Sequence, residues 1–202
     1  MSSDDEVRAN WRRIEAWLAA NERSLLTTLL PPATPQQIKD AEAAIGVSFP
    51  PELLASLAAH DGQEPHAYEM FAGWALLPLV HVVVVWKELV AMAKRLELPA
   101  FDEPDHVRTE GPVRPRAWDP LWIPVADDGQ GNRLMLDMDP PRGGTLGQVI
   151  RFRREANFHS VEAADFGAWL SQVADWFERG ELVPDDDDDD DDDEDEDGDT
   201  SS

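Results

Sequence analysis

The stretch from Trp122 to Arg151 constrains the fold of this 202-residue chain more than any other. Its pattern predicts a strand, a tight turn, a second strand, a Pro/Gly loop and a third strand. Apolar and polar residues alternate along the second strand, which predicts two opposite faces. One face carries Leu134, Leu136 and Met138, and the other carries Met135, Asp137 and Asp139.

The residues between the first two strands favour a hairpin. Asp128-Gly129 and Gly131-Asn132 are residue pairs that adopt positive φ at low cost, which a short hairpin turn requires. Pro140-Pro141 cannot donate to a ladder, so the second strand must end there. The segment Asp127–Asn132 also resembles a calcium loop superficially, but it lacks the later Glu and the alternating ligands, so we favour the turn.

Helical patterns lie on both sides of this stretch. A first helix is predicted from about Asp4 to Ala20, and a second begins at Thr34-Pro35, where Gln37 completes a capping box. A Pro-led helix follows at Pro51, and a strongly amphipathic helix closes the pattern before Gly180. The residues therefore predict an α+β domain, with a mainly antiparallel sheet flanked by N-terminal and C-terminal helices.

Three segments before Trp118 complete the assignment, and only the first of them is ambiguous. The run Val82–Val85 has strand propensity, but the spacing of its apolar neighbours and the helix-forming run after Lys87 favour a helix. The segment Phe71–Leu77 is predicted to be a strand, and the Pro-rich, charged segment Leu98–Ala117 is predicted to be a loop.

The charge of the chain limits its partners. The net charge is −25, and removing the fourteen acidic residues between Asp185 and Asp199 leaves −11. An acidic surface disfavours nucleic acid and anionic membranes, and it favours a basic protein partner. We expect a domain over residues 1–183 and a disordered acidic tail over residues 184–202. Without a signal peptide pattern, a membrane-spanning run or cysteine, the chain is expected to be cytoplasmic.

No catalytic constellation is visible in the sequence. The nucleophile, phosphate-loop and zinc-protease motifs are missing, so we expect a protein that is not an enzyme and that uses no cofactor. His60 and His66 flank the Asp61-Gly62 loop, but they lack the spacing of a zinc site, and we expect no metal.

The same residues resemble the SUKH superfamily, in its cell-wall assembly regulator (SMI/KNR-type) branch. The first matching pattern runs from a Trp-x-Pro through an Asp-Gly-x-Gly-Asn turn to a Gly-x-Val-Ile strand; its residues are Trp122, Pro124, Asp128, Gly129, Gly131, Asn132, Asp137, Asp139, Pro140, Gly147, Val149 and Ile150. The second is a helix ending Ile45-Gly46, a Pro-led helix and the Asp61-Gly62 loop. The position of Pro51 departs slightly from the usual pattern.

This resemblance implies a single SUKH-like domain and a function in protein binding. Bacterial members of the superfamily resemble immunity proteins that occlude toxins, often nucleases or deaminases, so the implied partner is a basic toxin domain. The alternative is a regulatory scaffold like the fungal members. Charge and turn chemistry suggest the partner-binding residues Asp61, Trp118, Asp127, Asp128, Asn132, Asp137 and Asp139. Trp118 lies in a loop, where an exposed anchor and a core residue are both open readings.

Overall fold

The computed structural model describes residues 3–64, 70–98, 102, 105–153 and 157–180. These residues form an α+β domain, as the sequence predicts. Its helices are α1 Ser3–Asn21, α2 Arg23–Leu26, α3 Pro35–Ile45, α4 Pro51–Leu57, α5 Leu79–Arg95 and α6 Phe166–Arg179. Its strands are β1 Ala75–Leu76, β2 Arg108–Glu110, β3 Trp122–Asp127, β4 Arg133–Asp137, β5 Gln148–Arg153 and β6 Phe158–Ala163.

The strands form one sheet in the order β1-β3-β4-β5-β6-β2. All neighbouring pairs are antiparallel except β2 and β6, which are parallel. The predicted hairpin is present, since Trp122 pairs with Asp137 at one end and Asp127 pairs with Arg133 at the other. A register shift between Pro124 and Ala126 interrupts the ladder, at the proline that cannot donate to it.

The helices from both chain ends cover one face of the sheet. The face formed by Leu134, Leu136 and Val149 belongs to a core shared with helices α1, α3, α4 and α6. Trp11 of α1 lies at the centre of this core, where its indole N–H donates to Ser56 Oγ at 3.0 Å. The expected capping box begins α3, since Thr34 Oγ1 accepts from the amide of Gln37 and the Gln37 side chain accepts from the amide of Thr34.

A second core covers the opposite face of the sheet. There Trp122, Met135 and Ile150 pack with Phe152, while Leu89 of α5 and the loop residues Val113 and Trp118 cover them. Helix α5 serves both cores, because Leu79 and Val82 near its start belong to the first and Leu89 to the second. The alternation in β4 is therefore correct, but both of its faces are buried.

Helix α5 confirms the helical interpretation of Val82–Val85. Two neighbouring predictions need correction. In the segment Phe71–Leu77 only Ala75–Leu76 is a strand, because Phe71 and Trp74 close a turn in which Ala72 and Gly73 have positive φ. The segment Leu98–Ala117 contains the short strand β2, which the pattern missed because its register depends on the distant strand β6. The predicted tail at 184–202 lies outside the described residues.

Glycine at position 62 is required by a close backbone approach. Gly62 has a φ of 70°, and a Cβ at this position would lie 2.6 Å from the carbonyl carbon of Leu77. The Asp61-Gly62 loop therefore contacts the backbone immediately before α5, and it positions the start of that helix.

Candidate partner-binding surface

The hairpin bend, residues 127–132, is held together by the side chain of Asp128. Its Oδ1 accepts hydrogen bonds from the amides of Gln130 at 2.9 Å and Asn132 at 3.0 Å. Its Oδ2 accepts from Asn132 Nδ2 at 2.7 Å. Gly129 and Gly131 have φ angles of 72° and 100°, as the turn chemistry predicts. Asp128 and Asn132, which were predicted to contact a partner, therefore hold the bend in shape.

The neighbouring Asp127 fixes the base of the bend. It accepts from the amide of Gly129 at 2.7 Å, and its second oxygen lies 3.2 Å from Arg133 Nε. Gly129 and Gln130 are exposed at the tip. The hairpin bend is thus held by internal hydrogen bonds, and its tip is accessible to solvent.

A cleft of about 200 Å³ lies between α5 and the sheet, on the side of Arg133. We call it the α5 cleft; its lining residues are Val85, Glu88, Leu89, Met92, Arg95, Arg133 and Phe152. Arg133 links it to the hairpin bend through Asp127. The lining combines apolar side chains, a methionine and two arginines, which is a composition typical of protein interfaces.

Two exposed valines continue this surface along α5. Val80 and Val84, which we call the valine stripe, are 65% and 45% exposed. They are four residues apart, and Glu88 of the α5 cleft is four residues further on, so all three lie on one side of the helix. The eight residues from Leu79 to Trp86 carry no Asp, Glu, Lys or Arg. The result is an uncharged strip that leads into a mixed cleft.

At the other end of the hairpin, the carboxylate of Asp137 is fully buried. It accepts from Trp122 Nε1 at 3.2 Å, Gln148 Nε2 at 3.0 Å and the amide of Asp139 at 3.0 Å. Burial raises the pKa of Asp137 above its usual range, while these three hydrogen bonds oppose the rise. Asp137 was predicted to be a partner-binding residue on the same strand face as Asp139, but it is not accessible, because the second core covers that face of the sheet.

Asp139 remains accessible but is already engaged. Its side chain is 41% exposed and lies 3.0 Å from Arg114 Nε. The same charge cluster joins Arg116 to the buried Asp119 and to Asp102. The cluster pins the loop that covers the second core. Because the arginines of this cluster neutralise its carboxylates, the cluster attracts a basic partner only weakly.

Trp118 and Asp61 are buried and stabilise the fold. Trp118 is only 8% exposed and belongs to the second core, so the core reading of this residue is correct and it is not a surface anchor. Asp61 is 9% exposed, and its Oδ1 accepts from the amide of Leu79 at 2.8 Å. It thereby satisfies a free N–H at the start of α5. Burial raises the pKa of Asp61, and the hydrogen bond from Leu79 opposes this.

The predicted site residues therefore divide into separate groups. The structure brings Asp127, Asp128 and Asn132 together in the hairpin bend, whereas Asp139 lies at the far end of β4, roughly 20 Å away at the usual rise of a strand. Sequence reasoning missed the α5 cleft and the valine stripe. The available signal was that Val80 and Val84 lie off the apolar stripe that predicts this helix.

The described part of the chain contains no group of three or more His, Cys, Asp or Glu residues placed to hold a metal ion. None of its helices is long and apolar enough to cross a bilayer.

The architecture and the bend define an α+β domain with two cores, one on each face of a single sheet, and an open Asp-Gly-Gln-Gly-Asn hairpin. The chain belongs to the SMI1/KNR4 family (SUKH-1), whose model matches residues 32–172. This confirms the resemblance found from the hairpin residues and the Asp61-Gly62 loop.

Several curated proteins are similar over most of the chain. The cell wall assembly regulator SMI1 of Saccharomyces cerevisiae is 29% identical, over 89% of this chain and 42% of that protein. The cell wall biosynthesis/cell cycle regulator smi1 of Schizosaccharomyces pombe is 28% identical, over 89% of this chain and 38% of that protein. The glucan synthesis regulatory protein of Neurospora crassa is 24% identical, over 89% and 40%. The chain thus spans less than half the length of these relatives.

Proposed function

We propose that this chain is a non-catalytic regulatory domain that acts by binding another protein through the valine stripe, the α5 cleft and the hairpin bend. The observation that carries the proposal is the exposed valine stripe, which runs directly into a cleft beside a rigid, accessible turn. Such a surface offers apolar anchors, adaptable side chains and a fixed polar projection within one footprint.

The energetic contributions of these parts differ. Burying the exposed portions of Val80 and Val84 would contribute roughly 1 kcal/mol each. Met92 can adjust to the shape of a partner, and Arg95 can pair with carboxylates at the rim of the interface. The apolar contacts would therefore determine how slowly the complex dissociates, while the hairpin bend would fix its orientation.

Net charge would determine how fast the complex forms. The chain remains at −11 without its fourteen distal acids, so long-range attraction favours a basic partner and increases the association rate. This attraction is not local, because the α5 cleft itself contains Arg95 and Arg133 beside Glu88. We therefore expect salt to slow association much more than it accelerates dissociation.

The names of the relatives support a regulatory role. They describe regulators of cell wall assembly and glucan synthesis, which fits a domain that recruits or holds other proteins. The more specific hypothesis is toxin neutralisation in the cytoplasm, in which the same surface would occlude a basic nuclease or deaminase domain. The acidic balance of the chain supports that hypothesis.

A matched pair of surface substitutions tests the binding surface. Val84→Arg places a charge in the valine stripe, whereas Leu146→Arg places the same charge at an exposed leucine in the β4–β5 loop. For a purified partner, identified by a photo-crosslinker at position 84, we expect V84R to weaken binding at least tenfold and L146R less than twofold. Equal affinities of V84R and the original chain would refute the surface.

Cell protection separates the two candidate functions. If the chain neutralises a toxin, co-expression with that toxin should preserve growth, and V84R should abolish the protection. A regulatory domain would instead change the activity or location of its partner without any rescue of growth. A gene for a secreted toxin next to this one would favour neutralisation.

A further inference from the structure

At one edge of the sheet, a phenylalanine on β6 lies between two arginines, one on β2 and one on β5. Phe158 begins β6, and in the ladders it is the register partner of both Arg108 of β2 and Arg153 of β5. The guanidinium carbons lie 5.9 Å and 5.7 Å from the centroid of the Phe158 ring. We call this group the arginine sandwich.

The arginine sandwich presents two exposed cations. Arg108 and Arg153 are both exposed, and within the described ranges neither forms an ion pair. Arg13, Arg114, Arg116, Arg133 and Arg151, by contrast, are all paired with carboxylates. A guanidinium that stacks on a ring keeps its N–H edge free, so stacking fixes each cation in place while leaving it able to bind carboxylates.

The chain itself carries a ligand of matching chemistry. The segment Asp185–Asp199 contains fourteen carboxylates and no basic residue. A folded surface with a net charge of −11 repels this segment in general, so local cationic sites are where it can be held.

The segment is also long enough to reach the sandwich. Helix α6 ends at Arg179, and an extended chain of the nineteen residues from 181 to 199 spans roughly 60 Å. A domain of this size has a radius of gyration of only roughly 16 Å. Tethering raises the effective concentration of the segment to the millimolar range, at which individually weak ion pairs become populated.

We propose that the acidic segment Asp185–Asp199 binds in cis to the arginine sandwich formed by Arg108, Phe158 and Arg153. The contact would cover this edge of the sheet with negative charge and hold the segment away from partners. The inference does not rest on the proposed function, because the sandwich includes no residue of the valine stripe, the α5 cleft or the hairpin bend.

Paramagnetic relaxation in the full-length chain tests the contact. The sequence contains no cysteine, so Ser201→Cys provides a single site for a nitroxide label. At low salt we expect selective broadening of amide signals in β2, at the start of β6 and at the end of β5. The broadening should disappear at 1 M salt, where the screening length is roughly 3 Å.

Matched variants identify the residues responsible. R108Q/R153Q should abolish the selective broadening, whereas R8Q/R12Q, which removes two exposed arginines from α1, should leave it unchanged. Changing the nine aspartates of 185–193 to asparagine should also abolish it, and this variant leaves the described part of the chain untouched. Thermal unfolding of each variant verifies that the domain is intact.

Two results would overturn the proposal. One is broadening that is centred on α1 or that survives R108Q/R153Q. The other is broadening in a mixture of isotope-labelled chain without nitroxide and unlabelled chain with nitroxide, because that would place the segment of a second copy on the sandwich.

Discussion

The two ends of the β3–β4 hairpin carry the same chemistry in opposite settings. At the bend, Asp128 organises a turn whose tip is in solvent. At the other end, Asp137 accepts three hydrogen bonds in a fully buried position between Trp122 and Gln148. The carboxylates at the bend are partly exposed and hold the turn, whereas the one at the other end of the hairpin is fully buried and stabilises the fold.

The difference arises from what lies over the sheet. At the end of the hairpin away from the bend, the loop that carries Val113 and Trp118 packs over Trp122, so Asp137 loses its water and accepts from protein donors instead. The tip of the bend, Gly129 and Gln130, is exposed to solvent. Identical residues on one hairpin thus acquire different roles from elements that are distant in sequence.

Replacement of Asp137 is expected to have the largest effect. Asp137→Ala would leave the buried donors Trp122 Nε1 and Gln148 Nε2 without this acceptor, which should lower the free energy of unfolding by about 3 kcal/mol. Urea denaturation would show a lower midpoint at an unchanged slope. Asp137→Asn, which keeps one acceptor oxygen, should lose about half as much. A midpoint for D137A within error of the original chain would contradict the buried network.

Replacement of Asp128 should have a smaller effect. Asp128→Ala removes three hydrogen bonds, but the freed donors of the bend can turn to water, so we expect a loss of about 1 kcal/mol. Gln130→Ala, at the exposed tip, serves as the control and should change stability by less than about 0.5 kcal/mol. If D128A were as destabilising as D137A, the distinction between the solvent-exposed bend and the buried end of the hairpin would be wrong.

The third prediction concerns pH dependence and is the smallest effect. His159 stacks on Phe152, its Nε2 donates to the carbonyl of Arg116, and burial lowers its pKa below 6.5. The imidazole of His159 therefore binds a proton more readily in the unfolded chain than in the folded one. The contribution of His159 to stability declines as the pH falls below about 6.5.

The raised pKa of Asp137 acts in the opposite direction. As the pH falls through this pKa towards 3.8, the carboxylate is protonated in the folded chain before it is protonated in the unfolded chain, so the folded chain gains stability. Urea titrations between pH 7.5 and 5.5 should show a shallower decline for His159→Phe than for the original chain. His106→Gln, in an exposed loop, should keep the original slope; an unchanged slope for H159F would argue against a neutral, buried ring.

Local sequence rules predicted the elements well where one residue type has one physical role. The Thr34 cap, the glycines of the hairpin bend and the amphipathic stripe of α6 all follow from short-range geometry. Those rules did not predict that Asp61, Trp118 and Asp137 are buried, because their exposure depends on α5 and on the loop that covers the second core. The spacing of β4 identifies two faces but does not reveal that both are covered.

The amino-acid pattern is sufficient to predict the class of fold, the hairpin with its Asp-Gly-Gln-Gly-Asn bend, and a net charge that favours basic partners. These properties depend on backbone preferences and composition, which act over a few residues or over the whole chain. The folded chain alone shows which carboxylates face water and that Arg108 and Arg153 flank Phe158. Those outcomes depend on contacts between elements far apart in the chain, and no local pattern encodes them.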